Sequence, residues 1–115
     1  MNELIPQNFE WTSGDDLPFE IEVTDQNDVA EDLTGASITW AMARRPTSSI
    51  LLTKTVGSGI TITDAVNGLF LVKLDAADGE NFRGDYYHEA EVVFASGDKR
   101  TVARGTISVP VDLIT

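Results

Sequence analysis

The residue to examine first for chemistry is a histidine, because imidazole exchanges protons near neutral pH and is the commonest metal ligand. His88 is the single histidine in the 115 residues, and there is no cysteine. A zinc site needs further nitrogen or sulfur ligands, and a nucleophilic triad needs a positioned hydroxyl beside the imidazole. The sequence has no Gly-x-Ser-x-Gly turn, and Ser96-Gly97 reads as a hairpin. His88 is therefore expected to be a partly buried, hydrogen-bonded residue, and no catalytic residue is assigned.

Carboxylates are the other abundant reactive groups. Asp25-Gln26-Asn27-Asp28 and Glu31-Asp32 offer oxygens of the kind calcium prefers, yet the glycine and distal glutamate of an EF-hand loop are missing. A solvated loop is the expected state, with no metal or cofactor. Paired acids would serve a glycosidase only across a cleft of defined width, which spacing alone does not supply. The glycines are scattered singly, so no phosphate loop is formed. Arg83-Gly84-Asp85 spells an integrin-binding tripeptide, but glycine with polar flanks is also what a tight turn into a strand requires.

The formal charge is −11, and it is unevenly placed: residues 1–43 contain ten acids and no Lys or Arg, whereas residues 44–115 contain nine acids and eight bases. Phosphate binding needs clustered cations, so nucleic acid is excluded as a partner. No run approaches the roughly 20 apolar residues that span a bilayer, and no membrane association is expected. Without a visible export signal and without cysteine, the chain is expected to fold in a reducing cytosol, stabilised by packing alone.

The elements that must position these residues follow from period-two alternation. Leu17, Phe19, Ile21 and Val23 alternate with Pro18, Glu20, Glu22 and Thr24, which predicts a strand with one buried face. Ala36, Ile38, Trp40 and Met42 predict a second strand, ending near Arg44-Arg45-Pro46, and Ile50 to Val56 a third. Gly57-Ser58-Gly59 leads into Ile60-Thr61-Ile62, and Asn67-Gly68 marks a tight hairpin. Leu69 to Leu74 follows as a strand, then Asp75 to Phe82 as a helical turn or crossing. Tyr86 to Ala95 alternates again, Ser96-Gly97-Asp98 reverses the chain, and Lys99 to Val111 forms the last strand. Its inward set changes phase between Val102 and Ile107, which predicts a bulge, assigned to Gly105. About seven short strands with no convincing helix predict an all-β, antiparallel sandwich of one domain over residues 17–115.

One pattern narrows this to an immunoglobulin-like sandwich. In that fold a tyrosine just after the crossing into the penultimate strand bonds its hydroxyl back to the backbone, two residues before an inward position that antibodies fill with cysteine. Gly84-Asp85-Tyr86-Tyr87-His88 matches, with His88 in the inward position. Trp40 fits the tryptophan packed beneath it; Trp40 and Tyr86 equally fit two ordinary core aromatics. Phe19, Ile21, Trp40, Tyr86 and His88 form the expected core.

Leu33-Thr34-Gly35-Ala36, Ile62-Thr63-Asp64-Ala65-Val66-Asn67-Gly68, Gly84-Asp85-Tyr86-Tyr87-His88-Glu89-Ala90-Glu91-Val92 and Ser96-Gly97-Asp98 occur in that order. This order resembles the N-terminal immunoglobulin-like domain of the phage baseplate upper protein family, over roughly residues 17–110. The resemblance implies a non-enzymatic virion structural protein that attaches fibre or receptor-binding components to the tail. Its partners would be other tail, neck or fibre proteins and further copies of itself, assembled in the bacterial host cytoplasm. Larger relatives continue into trimerising and receptor-binding regions, and this chain ends at Thr115, so a free-standing adaptor, neck or decoration role is equally implied. The rival expectation is a carbohydrate- or cell-surface-binding module, whose platform would need exposed aromatics from among Phe9, Trp11 and Tyr87.

Residues 1–16 fit either an N-terminal arm or the first strand. Leu4, Ile5, Phe9 and Trp11 lie among acids, and Pro6 interrupts any long ladder. These four apolar residues are the candidate protein-docking anchors of such an arm.

Overall fold

The computed structural model describes residues 6–110. The chain is all-β, with eight strands: β1 (Phe9–Glu10), β2 (Leu17–Glu22), β3 (Ser37–Ala43), β4 (Ile50–Val56), β5 (Gly59–Asp64), β6 (Leu69–Leu74), β7 (Gly84–Val93) and β8 (Lys99–Val109). One 3-10 turn, Ala76–Gly79, sits between β6 and β7. Among the described residues no helix is long and apolar enough to cross a membrane.

Period-two burial carries the strands. In β6, Phe70, Val72 and Leu74 are buried while Leu71 and Lys73 face outward, and β2 sends Phe19 and Ile21 inward from between Pro18, Glu20 and Glu22. The order across the sheet is β1-β8-β7-β3-β4-β5-β6-β2. Most pairs are antiparallel, but β1 runs parallel to β8, with Phe9 beside Ile107, and β4 parallel to β5, with Val56 beside Ile60. The sheet is thus mixed and has eight strands, where seven antiparallel ones were expected. The short β1 was hidden because two residues carry no periodicity.

The sheet folds over so that its two ends meet. β1 and β2 are terminal strands at opposite ends of the order, yet the Phe9 and Phe19 rings lie 4.5 Å apart, and Phe19 meets Trp40 of β3 edge-on at 6.0 Å. Val23 and Leu33, just outside β2 and β3, join the same core. Their amides donate to the carbonyls of Gly68 and Ala65, which draws the polar loop between them back onto the β5–β6 hairpin.

The phase change in β8 lies at Val102, not Gly105. Ala90 pairs with Ala103 and Glu91 with Thr101, so Val102 is the extra residue, and Val102 and Ala103 are both buried. The expected β7 range of 86–95 also moves, because pairing with β8 starts at Gly84 and ends at Val93.

At the start of β7 the Tyr86 hydroxyl accepts a hydrogen bond from the Arg83 amide (2.9 Å) and donates one to the Arg83 carbonyl (3.0 Å). The Arg44 guanidinium stacks over the same ring at 4.2 Å and donates to the Arg83 and Asp85 carbonyls. The Arg83-Gly84-Asp85 tripeptide therefore holds this corner together. Tyr86→Phe keeps the ring and, with the Arg83 carbonyl still bonded by Arg44, strands the Arg83 amide. It should cost about 1–3 kcal/mol, read as a lowered denaturant midpoint at unchanged slope.

Candidate functional site

His88 lies wholly inside the protein, within an aromatic cage whose ring centroids are 5.6 Å away for Phe9, 6.0 Å for Phe19 and 5.9 Å for Trp40. Strand alternation on β7 turns it inward between Tyr86 and Ala90, and β3 places Trp40 two positions along from its direct partner Met42. Trp40 Nε1 donates to His88 Nδ1 at 3.0 Å. An indole nitrogen can only donate, so Nδ1 carries no proton and the hydrogen is on Nε2. Nε2 donates to the Gln7 carbonyl at 2.6 Å. The ring is neutral and both its nitrogens are committed, which leaves neither for a metal or a proton transfer. Burial, partly offset by the Gln7 bond, lowers its pKa below the usual histidine range.

The Gln7 carbonyl reaches this depth because Gly105 stands directly opposite His88 in the β7–β8 register. A Cβ at Gly105 would run into the Gln7 carbonyl oxygen and come within 2.6 Å of its carbon and 2.8 Å of its amide nitrogen. Next along the segment, Trp11 lies over Gly79, where a Cβ would fall 2.7 Å from Cζ2 of the indole. Trp11 is 1% exposed and its Nε1 donates to the Asp15 carbonyl at 2.8 Å. The docking assignment is thereby corrected: Trp11 and half-buried Phe9 pack into the core of their own chain, because β1 lies along β8. The described part of residues 1–16 is a first strand and turn, not an arm. Leu4 and Ile5 lie outside the described residues. The core assignments fall where the alternation put them, with Phe19, Ile21, Trp40, Tyr86 and His88 all buried.

A cleft of about 420 Å³ opens at the loop end, between Glu31, Asp32 and Thr34 on one side and Phe94, Asp98 and Arg100 on the other. Arg100, Glu31 and Asp32 are already engaged by neighbours. Arg100 bonds Glu31, donates to the Thr24 carbonyl at 3.3 Å and lies over the Phe94 ring at 5.4 Å. Asp32 accepts from the Thr34 hydroxyl (2.6 Å) and amide (2.8 Å), and these bonds hold its carboxyl below the usual range. Asp25 accepts from the Asn27 and Val29 amides, so the acidic loop caps its own turns. Among the described residues no group of three or more His, Cys, Asp or Glu could hold a metal ion.

Sequence reading missed two features. The Gln7 carbonyl is a backbone group, so no side-chain pattern announces it. Lys54 reaches from β4 to Asp78 of the 3-10 turn at 2.7 Å, its stem lying over Gly59. Partial burial opposes ionisation of Asp78, but the Lys54 and Asp75 hydrogen bonds and the Lys54 charge outweigh it and keep the carboxyl below its ordinary range.

No family model matches the chain, and no curated protein matches it. Among solved structures, that of murine CRIg is similar over 93% of each chain, at 12% identity and a TM-score of 0.44. A likeness this slight carries no assignment.

Two outcomes follow from the buried imidazole. The unfolded chain binds a proton at His88 near pH 6.5 while the native ring does not, so the stability this residue confers is full above that pH and is lost as pH falls towards the lower native pKa. The slope in that window should approach about 1.4 kcal/mol per pH unit. Unfolding measured at pH 7.5 and 5.5 should show this loss in the wild type and little of it in His88→Gln. Gly105→Ala should lift Gln7 off His88 at a cost of about 1–3 kcal/mol, with exchange protection of the Gln7, Trp11 and Thr106 amides reduced first.

Proposed function

We propose that the chain is a non-enzymatic structural protein of a bacteriophage particle, an immunoglobulin-like sandwich that attaches tail, neck or fibre components. What carries the reading is the ordered set of motifs shared with the baseplate upper protein family, each of which has a backbone task in this fold. Leu33-Thr34-Gly35 turns the chain into β3, the Ala36 amide bonding the Leu33 carbonyl at 2.9 Å. Asp64 to Gly68 closes the β5–β6 hairpin, with Gly68 at φ 70°, and Gly84 to Tyr86 forms the corner that opens β7. The pairing of Tyr86 with buried His88 over Trp40 supports the sandwich type.

For attachment, Ile50 and Leu51 at the start of β4 are 63% and 49% exposed, side by side because the β3–β4 register shifts between Met42 and Ala43. Adjacent apolar residues in water fit a protein contact. The carbohydrate-module rival is weakened by its own candidates: Trp11 is buried, Phe9 is half-buried, and Tyr87 is half-buried with its hydroxyl donating to Glu89 at 2.8 Å.

Particles purified from a lysate of the phage that encodes the chain should contain it in fixed stoichiometry by mass spectrometry. The double variant Ile50→Thr, Leu51→Thr should melt within a few degrees of the wild type and be depleted from particles at least tenfold. A chain absent from purified particles, or one that binds defined glycans on an array, would overturn the proposal.

A further inference from the structure

We infer that the segment Gln7 to Trp11 is exchangeable between two copies of the chain, so that β1 of one copy lies along β8 of the other and the two copies form a reciprocal dimer. The inference rests on the geometry of the segment and is independent of the particle reading.

Apart from the Asp15 carbonyl, which accepts from the Trp11 indole, the groups that receive the segment among the described residues belong to other elements. The Gln7 amide donates to the Arg104 carbonyl and the Trp11 amide to the Ser108 carbonyl, both at 2.8 Å, while the Thr106 amide donates to Asn8 Oδ1 at 3.0 Å. Phe9 packs on Phe19 of β2 and on His88 of β7; Trp11 lies over Gly79 and beside Phe82, with ring centroids 6.3 Å apart. The receiving groove is thus built by β2, β7, β8 and the 3-10 turn, with Gly105 and Gly79 forming its floor. A second copy presenting the same segment would meet the same contacts. The carbonyl that the neutral His88 ring requires can come from either copy.

The tie between the segment and its own body is short. β1 belongs to the β8 end of the sheet order and β2 to the far end, so the link must cross from one end to the other and reverse. It does so within Thr12 to Asp16, where the Asp15 amide bonds the Thr12 carbonyl at 3.1 Å, the Asp15 carbonyl accepts from the Trp11 indole at 2.8 Å and Gly14 adopts φ 91°. The link ends at Asp16, whose Oδ1 accepts from the Ala76 amide at 2.8 Å. Opening this turn releases the segment without disturbing β2.

Release is local, because among the described residues β1 pairs with β8 through two residue pairs, flanked by the Gln7, Trp11 and Thr106 amide bonds. A short edge strand held by so few pairs opens at a small fraction of the global unfolding free energy. The open state is poor: Phe9 and Trp11 enter water, His88 loses its acceptor, and the β8 edge is bare. Such an edge either takes back its own strand or captures an identical one, and exchange of an identical element conserves the contacts of β1 with β2, β7 and β8 and gives up only bonds of the Thr12–Asp16 turn. At low concentration the short link favours closure within one chain, since its effective concentration is millimolar. Copies held side by side, or a link too short to turn, favour exchange.

The absence of cysteine gives a direct test. Glu10 and Ser108 are register partners across β1 and β8, and Glu10 is exposed. Chains carrying Glu10→Cys alone and Ser108→Cys alone, distinguished by mass tags, are mixed, unfolded, refolded together at millimolar concentration and oxidised. Exchange yields the mixed disulfide dimer in several-fold excess over both homodimers. Homodimers and heterodimers in statistical proportions, or no dimer, would overturn the inference. Deleting Ser13 and Gly14 should give a folded protein of twice the monomer mass at every concentration tested. A folded monomer of that variant would also overturn the inference, and if the deletion prevents folding, the cysteine mixture decides.

Discussion

The structure depends on a chain of two hydrogen bonds, from the Trp40 indole to His88 and from His88 to the Gln7 carbonyl. A buried polar ring is costly unless each of its nitrogens is satisfied, and here the two partners come from β3 and from the N-terminal segment, 48 and 81 residues away. The donor-only indole fixes the tautomer, the tautomer fixes the need for an acceptor, and the acceptor must be a backbone carbonyl lying across β8. That demand propagates to Gly105, where any side chain would block the carbonyl. One imidazole thus joins β3, β7, β8 and the segment before β1.

Sheet closure follows from the same constraint. An eight-stranded sheet that ends in β1 and β2 has two edges, and the fold brings them together by stacking Phe9 on Phe19 above His88. The remaining gap on the far side is bridged by Lys54 and Asp78, an ion pair whose side chains are 12% and 22% exposed. That pair ties the 3-10 turn to β4, and Gly79 of the same turn receives Trp11. Closure is apolar on one side and partly buried and polar on the other, and the sheet is mixed because β1 runs parallel to β8 and β4 parallel to β5.

Much of this was legible in the sequence. The alternation around Phe19, Ile38, Trp40, Phe70 and Val92 marked the inward faces, since the two-residue period is a local property of extended chain. Turn chemistry at Gly68 and Gly84 marked the reversals, and the Tyr86 to His88 spacing marked the corner. What was not legible depends on partners distant in sequence. Two residues of β1 have no period, so their parallel register and the inward turn of Trp11 could be read only from Gly79 and Gly105, whose reason for being glycine lies on another element. The bulge was misplaced for the same reason: a glycine in a strand suggests a bulge, and here it makes room for a crossing chain.

Charge placement separates what stabilises the fold from what faces a partner. Acids crowd the N-terminal third, yet those of the loop before β3 are spent on local bonds: Asp25 to the Asn27 and Val29 amides, Asp32 to Thr34, Glu31 to Arg100. Such bonds organise the loop end without demanding a cation, so the negative field there acts outward, on association rates and the choice of basic surfaces, more than on stability. The exposed apolar pair Ile50 and Leu51 of β4 sits elsewhere, at the end of the molecule where Arg44 braces the Tyr86 corner. Steering charge and apolar anchor therefore occupy opposite ends of the strands. A contact made through β4 would leave the loop end open, because the exposed Ile50–Leu51 pair and the acidic loop lie at opposite ends of β3 and β4.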